Sequence, residues 1–327
     1  MAYSEAGPRT LTPSDRHPKS DPESPGQGLR TVALLVLGVL MALPVLALAV
    51  TVALTLVLFG PAEGADRLQS DWRRIWLAHA VDRGQVTPQA AYLELYGDRI
   101  GPSPRPQDVR RWLADDLEAG EPIVWDVILA RYLVDRFGAV DGRSVPPGVY
   151  VAAGPIGPDA WPGPILTHYL MFPRHGYVLV VPTPEGGRAR PAVEASASLR
   201  RDFSPGGDGN DLFAVVEVYR PGAFDFPTAG EPVHDLFLLS ADPRDIEAVA
   251  GRIRTAARRL DRAELGYGLF SRNSNSALRC FLRVAGLSPR TVDAVRARPV
   301  AQLRLPGIGQ DLWKSDERNG IPECSAG

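Results

Sequence analysis

One apolar run constrains this chain more than any other feature: residues 31–59, TVALLVLGVLMALPVLALAVTVALTLVLF, contain no charged side chain. A hydrocarbon core about 30 Å thick is crossed by roughly 20 apolar residues in a helix, so the run is long enough to span a membrane. Pro44 lies near its middle, where membrane helices tolerate proline because neighbouring helices or waters satisfy the freed carbonyl group. The run therefore predicts one transmembrane helix over residues 31–60, with the lipid bilayer as a partner of residues 31–59.

A signal peptide that is cleaved on export is the nearest alternative for this run. The apolar region of a signal peptide is about 7–15 residues long, which is much shorter than this run. The preceding residues 1–30 are rich in Pro, Ser and Gly and predict a disordered polar tail. Basic residues flank both ends of the run equally, so they do not set its orientation. Because a short tail stays in the cytoplasm more easily than a long domain, we expect an uncleaved signal anchor and an extracytoplasmic C-terminal domain.

The composition restricts the partners that the chain can have. Its formal net charge is −2, so no overall basic field predicts nucleic-acid binding. The two cysteines, Cys280 and Cys324, lack the CxxC spacing of metal sites but could form one disulfide in an oxidising compartment. The five histidines show no spacing typical of metal ligands. We therefore expect no nucleic-acid partner, no metal and no cofactor.

Local patterns divide the rest of the chain into a helical segment, residues 61–145, and an α+β domain, residues 146–327. Capping residues, prolines and apolar spacing predict helices at 70–83, 88–97, 106–118 and 123–137. Short β-branched and aromatic runs predict strands at 149–153, 165–172, 177–182, 212–219 and 235–240, with a hairpin loop at 173–176. A long helix follows from Pro243, capped by Asp242. This order predicts an α+β fold in which an antiparallel sheet packs against helices.

Residues 270–286, FSRNSNSALRCFLRVAG, predict a polar loop followed by a short helix that ends at Gly286. The apolar residues of this helix form one stripe: Leu278, Phe281, Leu282 and Ala285. At about 100° per residue, Ser274 projects from the same face as Leu278, whereas Cys280 projects from the opposite side. Ser274 would then lie beside N–H groups without intrahelical partners, where the helix dipole favours an anion.

Residues 273–277, NSNSA, resemble the N-C-x-[TH]-F signature that opens the nucleophile helix of circularly permuted papain-like domains. These domains include NlpC-like envelope peptidases and lecithin:retinol acyltransferase-like acyltransferases, in which a strand histidine with the pattern H-[WV]-x-[ILV]-[YF] precedes the nucleophile. Residues 167–172, THYLMF, resemble that strand and lie in the same order. The NSNSA stretch also resembles the P-N-S-N-T-F motif of a bacterial membrane-protein group, whose ending A-I-G-K-D resembles residues 305–311, LPGIGQD. The resemblance covers residues 149–313 and implies a permuted papain-like fold.

The resemblance implies candidate site residues. Ser274 takes the nucleophile position and His168 the position of the base, with Asn273, Asn275 and Tyr169 as neighbouring binding residues. The main departure from the family is serine in place of cysteine, because a serine hydroxyl needs a well-placed base and oxyanion donors to become nucleophilic. Serine at the start of a helix is also a common N-cap. We therefore favour capping or ligand binding over catalysis for Ser274.

Three functions are compatible with these features. The expected one is a protein anchored in the bacterial inner membrane, whose papain-like domain lacks thiol catalysis and acts as a binding or scaffold module for peptidoglycan or a lipid. The alternative is a serine-dependent hydrolase or acyltransferase acting on peptidoglycan peptides or lipid acyl groups. The third is a structural domain without a ligand pocket.

Overall fold

The computed structural model describes residues 61–155, 174–186, 188–199, 212–231, 233–262, 274–284 and 286–287, together with five residues of the apolar run: Ala42, Leu46, Ala49, Val52 and Ala53. Those five residues are helical. The rest of the predicted transmembrane span and the predicted tail lie outside the described residues. Within the described part of the chain, no helix combines the length and the apolar character needed to cross a membrane. The chain divides into two compact units, Met1–Ala49 and Val50–Gly327, and the elements below belong to the second.

The described part of this second unit contains six helices and six strands. The helices are α1 (Pro61–Asp82), α2 (Pro88–Ile100), α3 (Pro106–Glu118), α4 (Val127–Phe137), α5 (Pro243–Arg262) and α6 (Ser274–Val284). The strands are β1 (Ile123–Asp126), β2 (Gly148–Pro155), β3 (Arg174–Val181), β4 (Val193–Leu199), β5 (Leu212–Val218) and β6 (Val233–Ser240).

The six strands form one antiparallel sheet in the order β1-β6-β2-β3-β4-β5. Helices precede and follow these strands in sequence, so the predicted α+β class with an antiparallel sheet is confirmed. Strand β1, the first of the described strands, lies at one edge of their sheet and pairs with β6, with Ile123 opposite Leu236. The other edge is β5, which pairs with β4 along its whole described length.

Helices cover both faces of the sheet. On one face, called here the α5–α6 face, Val151, Val178 and Phe237 of the sheet belong to the same buried cluster as Ile253 and Phe281 of the helices. The opposite face, called here the α1–α4 face, buries a second cluster, whose members come from the sheet and from α1–α4: Leu77, Tyr92, Leu113, Leu129, Tyr150 and Leu179. Because side chains alternate along a strand, neighbouring residues of one strand contribute to different clusters. Residues 61–145 therefore pack directly on the sheet.

Several predicted element boundaries are wrong. Residues 123–126 form a strand that pairs with β6, and its burial alternates: Ile123 and Trp125 are buried, whereas Val124 is exposed. The helix begins only after Asp126. The predicted hairpin loop 173–176 overlaps β3, where Gly176 pairs with Ala153 of β2. Strand β4, VEASASL, escapes prediction because Ala, Ser and Glu have low β-propensity.

Two predicted helix limits are also wrong. Helix α1 begins at Pro61, before Ser70. Helix α2 continues through Gly97 to Ile100. A glycine inside a helix costs only about 1 kcal/mol, which the burial of the adjacent Tyr96 offsets.

The two C-terminal helices follow their predicted limits. Asp242 Oδ1 accepts a hydrogen bond from Arg244 N at 2.8 Å, which is the expected cap of α5. Helix α6 starts at Ser274 and is followed by Gly286 at φ +77°, a left-handed conformation that favours glycine. Leu278, Phe281 and Leu282 are buried as predicted, while Ala285 lies outside the described residues. The prediction for Cys280 is wrong, because its side chain is 2 % exposed and packs in the α5–α6 cluster.

Candidate functional site

The N-terminus of α6 is held against the sheet by a side chain that the resemblance picks out. Asn275 is buried, and its Oδ1 accepts a hydrogen bond from the backbone N–H of Gly176 in β3 at 2.9 Å. This bond satisfies a strand amide and fixes the first turn of the helix on β3. The other predicted site residues, Asn273, His168 and Tyr169, lie outside the described residues, as does the side chain of Ser274.

A second group of polar residues, which the sequence does not reveal, lies on the α1–α4 face. His175 of β3 places Nε2 at 2.9 Å from Asp225 Oδ1, in the turn after β5. Burial lowers the pKa of His175, but the Asp225 carboxylate outweighs burial and raises that pKa above its ordinary value. The His175 side chain is 16 % exposed, so its contact with Asp225 lies at the rim of the buried group.

Two glutamates bind the backbone of the same turn. Glu194 Oε1 accepts from Asp225 N at 3.1 Å, and Glu217 Oε1 accepts from Phe224 N at 2.8 Å. The two glutamates face each other across the β4–β5 pair. Burial and the charge of Asp225 raise the pKa of Glu194 to about 9. Glu194 is therefore protonated at neutral pH. The hydrogen bonds from Asp225 N to Glu194 and from Phe224 N to Glu217 hold the turn against the sheet.

A chain of buried hydrogen bonds continues from this turn across the α1–α4 face. Trp125 Nε1 donates to the Tyr219 hydroxyl at 2.8 Å, which lies 3.2 Å from the Tyr177 hydroxyl. Tyr177 in turn lies 2.8 Å from His234 Nδ1. Burial raises the pKa of both tyrosines far above the ordinary value. The phenols therefore stay neutral, and the chain fixes the His234 ring within the sheet.

Gly154 of β2 makes room for that ring. A Cβ atom at this position would lie 2.7 Å from His234 Nε2 and 2.9 Å from His234 Cδ2, closer than van der Waals contact allows. Gly154 also pairs with His175 in the β2–β3 register. The glycine thus lies beside the strands that carry the two histidines, and only its missing side chain lets His234 occupy its place.

We expect Gly154→Ala to lower the free energy of unfolding by about 1–3 kcal/mol, because the new methyl group overpacks the His234 ring. Urea unfolding of the full chain in nanodiscs, followed by tryptophan fluorescence, measures this change. Gly251→Ala in α5 is the matched control, since no atom lies within 4 Å of its added Cβ and alanine favours a helix. Equal stability of Gly154→Ala and the wild type would contradict the close packing of His234.

The described residues offer no metal centre: among them, no three His, Cys, Asp or Glu side chains lie together in an arrangement that could hold an ion. The Asp225 and Glu194 carboxyls are occupied instead with His175 and the backbone of the turn. No protein-family model, curated protein or solved structure matches the chain.

Proposed function

We propose that this chain is a membrane-anchored envelope protein whose permuted papain-like domain is a binding or scaffold module. The observation that carries this proposal is the Asn275 hydrogen bond to Gly176. Asn275, which follows the nucleophile position, uses its side chain to hold α6 against β3. A structural role for the NSNSA stretch accounts for that contact without catalysis.

The extracytoplasmic location is supported by Cys280, which is disulfide-bonded. Structural disulfides form and persist in oxidising compartments and are rare in the cytosol. The apolar run of residues 31–59 has the length of a membrane anchor. Together they favour a domain that faces the envelope, where peptidoglycan and lipids are the available ligands.

Binding is further supported by the group around His175. Titratable residues with shifted pKa values cluster at functional sites more often than elsewhere. Here His175 and Glu194 both have raised pKa values, and His175 reaches the surface. A ligand that contacts the exposed edge of His175 would meet an imidazole that Asp225 and its turn hold in place.

Serine-dependent hydrolysis or acyl transfer is the second candidate. It is favoured by the start of α6 at Ser274, because the free N–H groups of a helix N-terminus can stabilise an oxyanion. Strand alternation directs the His175 side chain to the α1–α4 face, away from α6. A base for Ser274 in this candidate is therefore His168, as the resemblance implies.

A fluorophosphonate probe distinguishes the two candidates, because it labels only serines that are activated as nucleophiles. We expect no labelling of the full chain in its native membrane beyond the level of a Ser274→Ala control. Labelling that the Ser274→Ala and His168→Ala substitutions each abolish would establish the enzyme instead.

The same membranes test the location. Protease added to the extracytoplasmic side should digest the chain beyond the anchor and leave residues 1–30 intact. Thiol titration of the unfolded, unreduced protein should find no free cysteine. Protection of the C-terminal domain in spheroplasts would contradict the envelope proposal.

A further inference from the structure

A cleft of about 410 Å³ opens at the C-terminal end of α4. Its walls are mostly apolar and include Val134, Phe137, Pro191, Val218 and Tyr219. This volume falls in the range of small-molecule sites, about 300–1,000 Å³. Tyr219 also belongs to the buried hydrogen-bond chain, while Val218 is 42 % exposed at the mouth.

Backbone hydrogen bonds join the three segments that line the cleft. Ala192 N donates to Val140 O at 2.9 Å, and Tyr219 N donates to Ala192 O at 2.9 Å. A further bridge pairs Asp141 with Pro191. Because these bonds join the loop after α4 to the approach to β4 and to the end of β5, the cleft is formed before any ligand arrives.

The charges that line the cleft are unequal. Among its described lining residues the one carboxylate is Asp141, which is 1 % exposed. Arg143 neutralises it, because Arg143 Nη2 lies 2.7 Å from Asp141 Oδ2 and Arg143 Nε also donates to it. The second guanidinium, Arg220, is exposed and makes no ion pair with any described residue. One positive charge therefore remains uncompensated at the end of an apolar wall.

We propose that this cleft binds a ligand that combines an apolar group with a single anionic head, either a carboxylate or a phosphate. The apolar group packs against Phe137 and Val218, and the head pairs with Arg220, whose planar guanidinium suits both anions. The cleft shares no lining residue with the N-terminus of α6, so this site goes beyond the proposed function and does not depend on it.

Ligand-observed NMR on the full chain in nanodiscs tests the site with three small water-soluble probes: benzoate, phenyl phosphate and benzylammonium. We expect saturable binding of one or both anions and none of the cation. Tighter binding of benzoate than of phenyl phosphate would assign a carboxylate ligand, and the reverse order a phosphate ligand. Empty nanodiscs provide the baseline for partition into lipid.

Arg220→Gln should weaken binding of the preferred anion at least about tenfold, because it removes a charge-assisted hydrogen bond. Arg258→Gln, an exposed arginine of α5, is the matched control and should leave binding unchanged. Val218→Trp should abolish binding by filling the mouth, and the melting temperature of each variant reports whether it folds. Binding of benzylammonium as tight as that of the anions, or unchanged anion binding by folded Arg220→Gln or Val218→Trp, would overturn the proposal.

Discussion

Replacing Asp126 with alanine is expected to lower the free energy of unfolding by about 3–5 kcal/mol, because it removes the nearer carboxylate from the largely buried Arg74 and leaves that arginine, among the described carboxylates, only Asp71, at 3.4 Å. Asp126 is fully buried, and its Oδ2 lies 2.7 Å from Arg74 Nε and accepts a hydrogen bond from the Tyr96 hydroxyl. Its other oxygen accepts from Leu129 N at 2.8 Å and caps α4. One carboxylate thus joins α1, α2 and α4 at the edge of the sheet.

Two further variants separate the charge from the cap. Asp126→Asn keeps an N-cap side chain but removes the negative charge beside Arg74 Nε, so it should lose most of the same stability. Arg74→Leu combined with Asp126→Asn should recover much of the loss, because both members of the pair are then neutral. Urea unfolding of the full chain in nanodiscs gives these values.

Asp108→Asn is the surface control for this series. Asp108 pairs with Arg105 where both groups face solvent, so breaking that pair should change stability far less. An Asp126→Ala variant as stable as Asp108→Asn would show that the Asp126 ion pair does not hold these elements together.

Glu194→Gln is expected to raise the free energy of unfolding at pH 8 by several kcal/mol, with about 5 kcal/mol as the upper limit that the two pKa values of Glu194 set. The pKa of Glu194 is about 9 in the folded protein, above the ordinary value of 4.5 that applies in the unfolded chain. The folded state therefore binds more protons than the unfolded state between these values, so the stability contributed by Glu194 falls as pH rises from about 4.5 to about 9. Glutamine mimics the protonated carboxyl and removes this loss.

Urea unfolding at pH 5, 7 and 8.5 measures the effect as the difference between Glu194→Gln and the wild type. The difference should be small at pH 5 and should grow steadily toward pH 8.5. Glu247→Gln, in an exposed ion pair on α5, controls for the chemical change itself. The raised pKa of His175 adds its own pH dependence, which largely cancels because both proteins contain that histidine. A difference that does not vary with pH would contradict a protonated Glu194.

Much of the helical structure is predictable because its signals are local. Thr87 caps α2 through Ala90 N at 3.2 Å, and Pro88 follows at the first helical position. The limits of α3, α5 and α6 depend on the same kind of neighbour-to-neighbour chemistry. The pairing of the sheet depends on residues far apart in sequence. Strand β1 is also hard to predict because a pattern of only four residues is too short to distinguish a strand from the start of a helix.

The group around His175 could not be predicted for the same reason. Glu194 lies in a strand of small residues that also contains Ser196 and Ser198, and a charged residue in such a strand normally indicates the solvated side of a sheet. Its partner Asp225 belongs to a turn 31 residues away, and His175 lies in what resembles a hairpin loop. Only the folded sheet shows that these side chains meet.

The placement of β1 also sets an order of events during synthesis. Ile123 and Trp125 leave the ribosome early, yet the strand that pairs with theirs, β6, is made only after the other described strands. Until then α1–α4 carry an unpaired strand with two large apolar side chains, a state that attracts wrong partners. A nascent chain stalled before Val233 should therefore bind chaperones, and completing β6 should release them. Among the described strands, the last to be synthesised is therefore the pairing partner of the first.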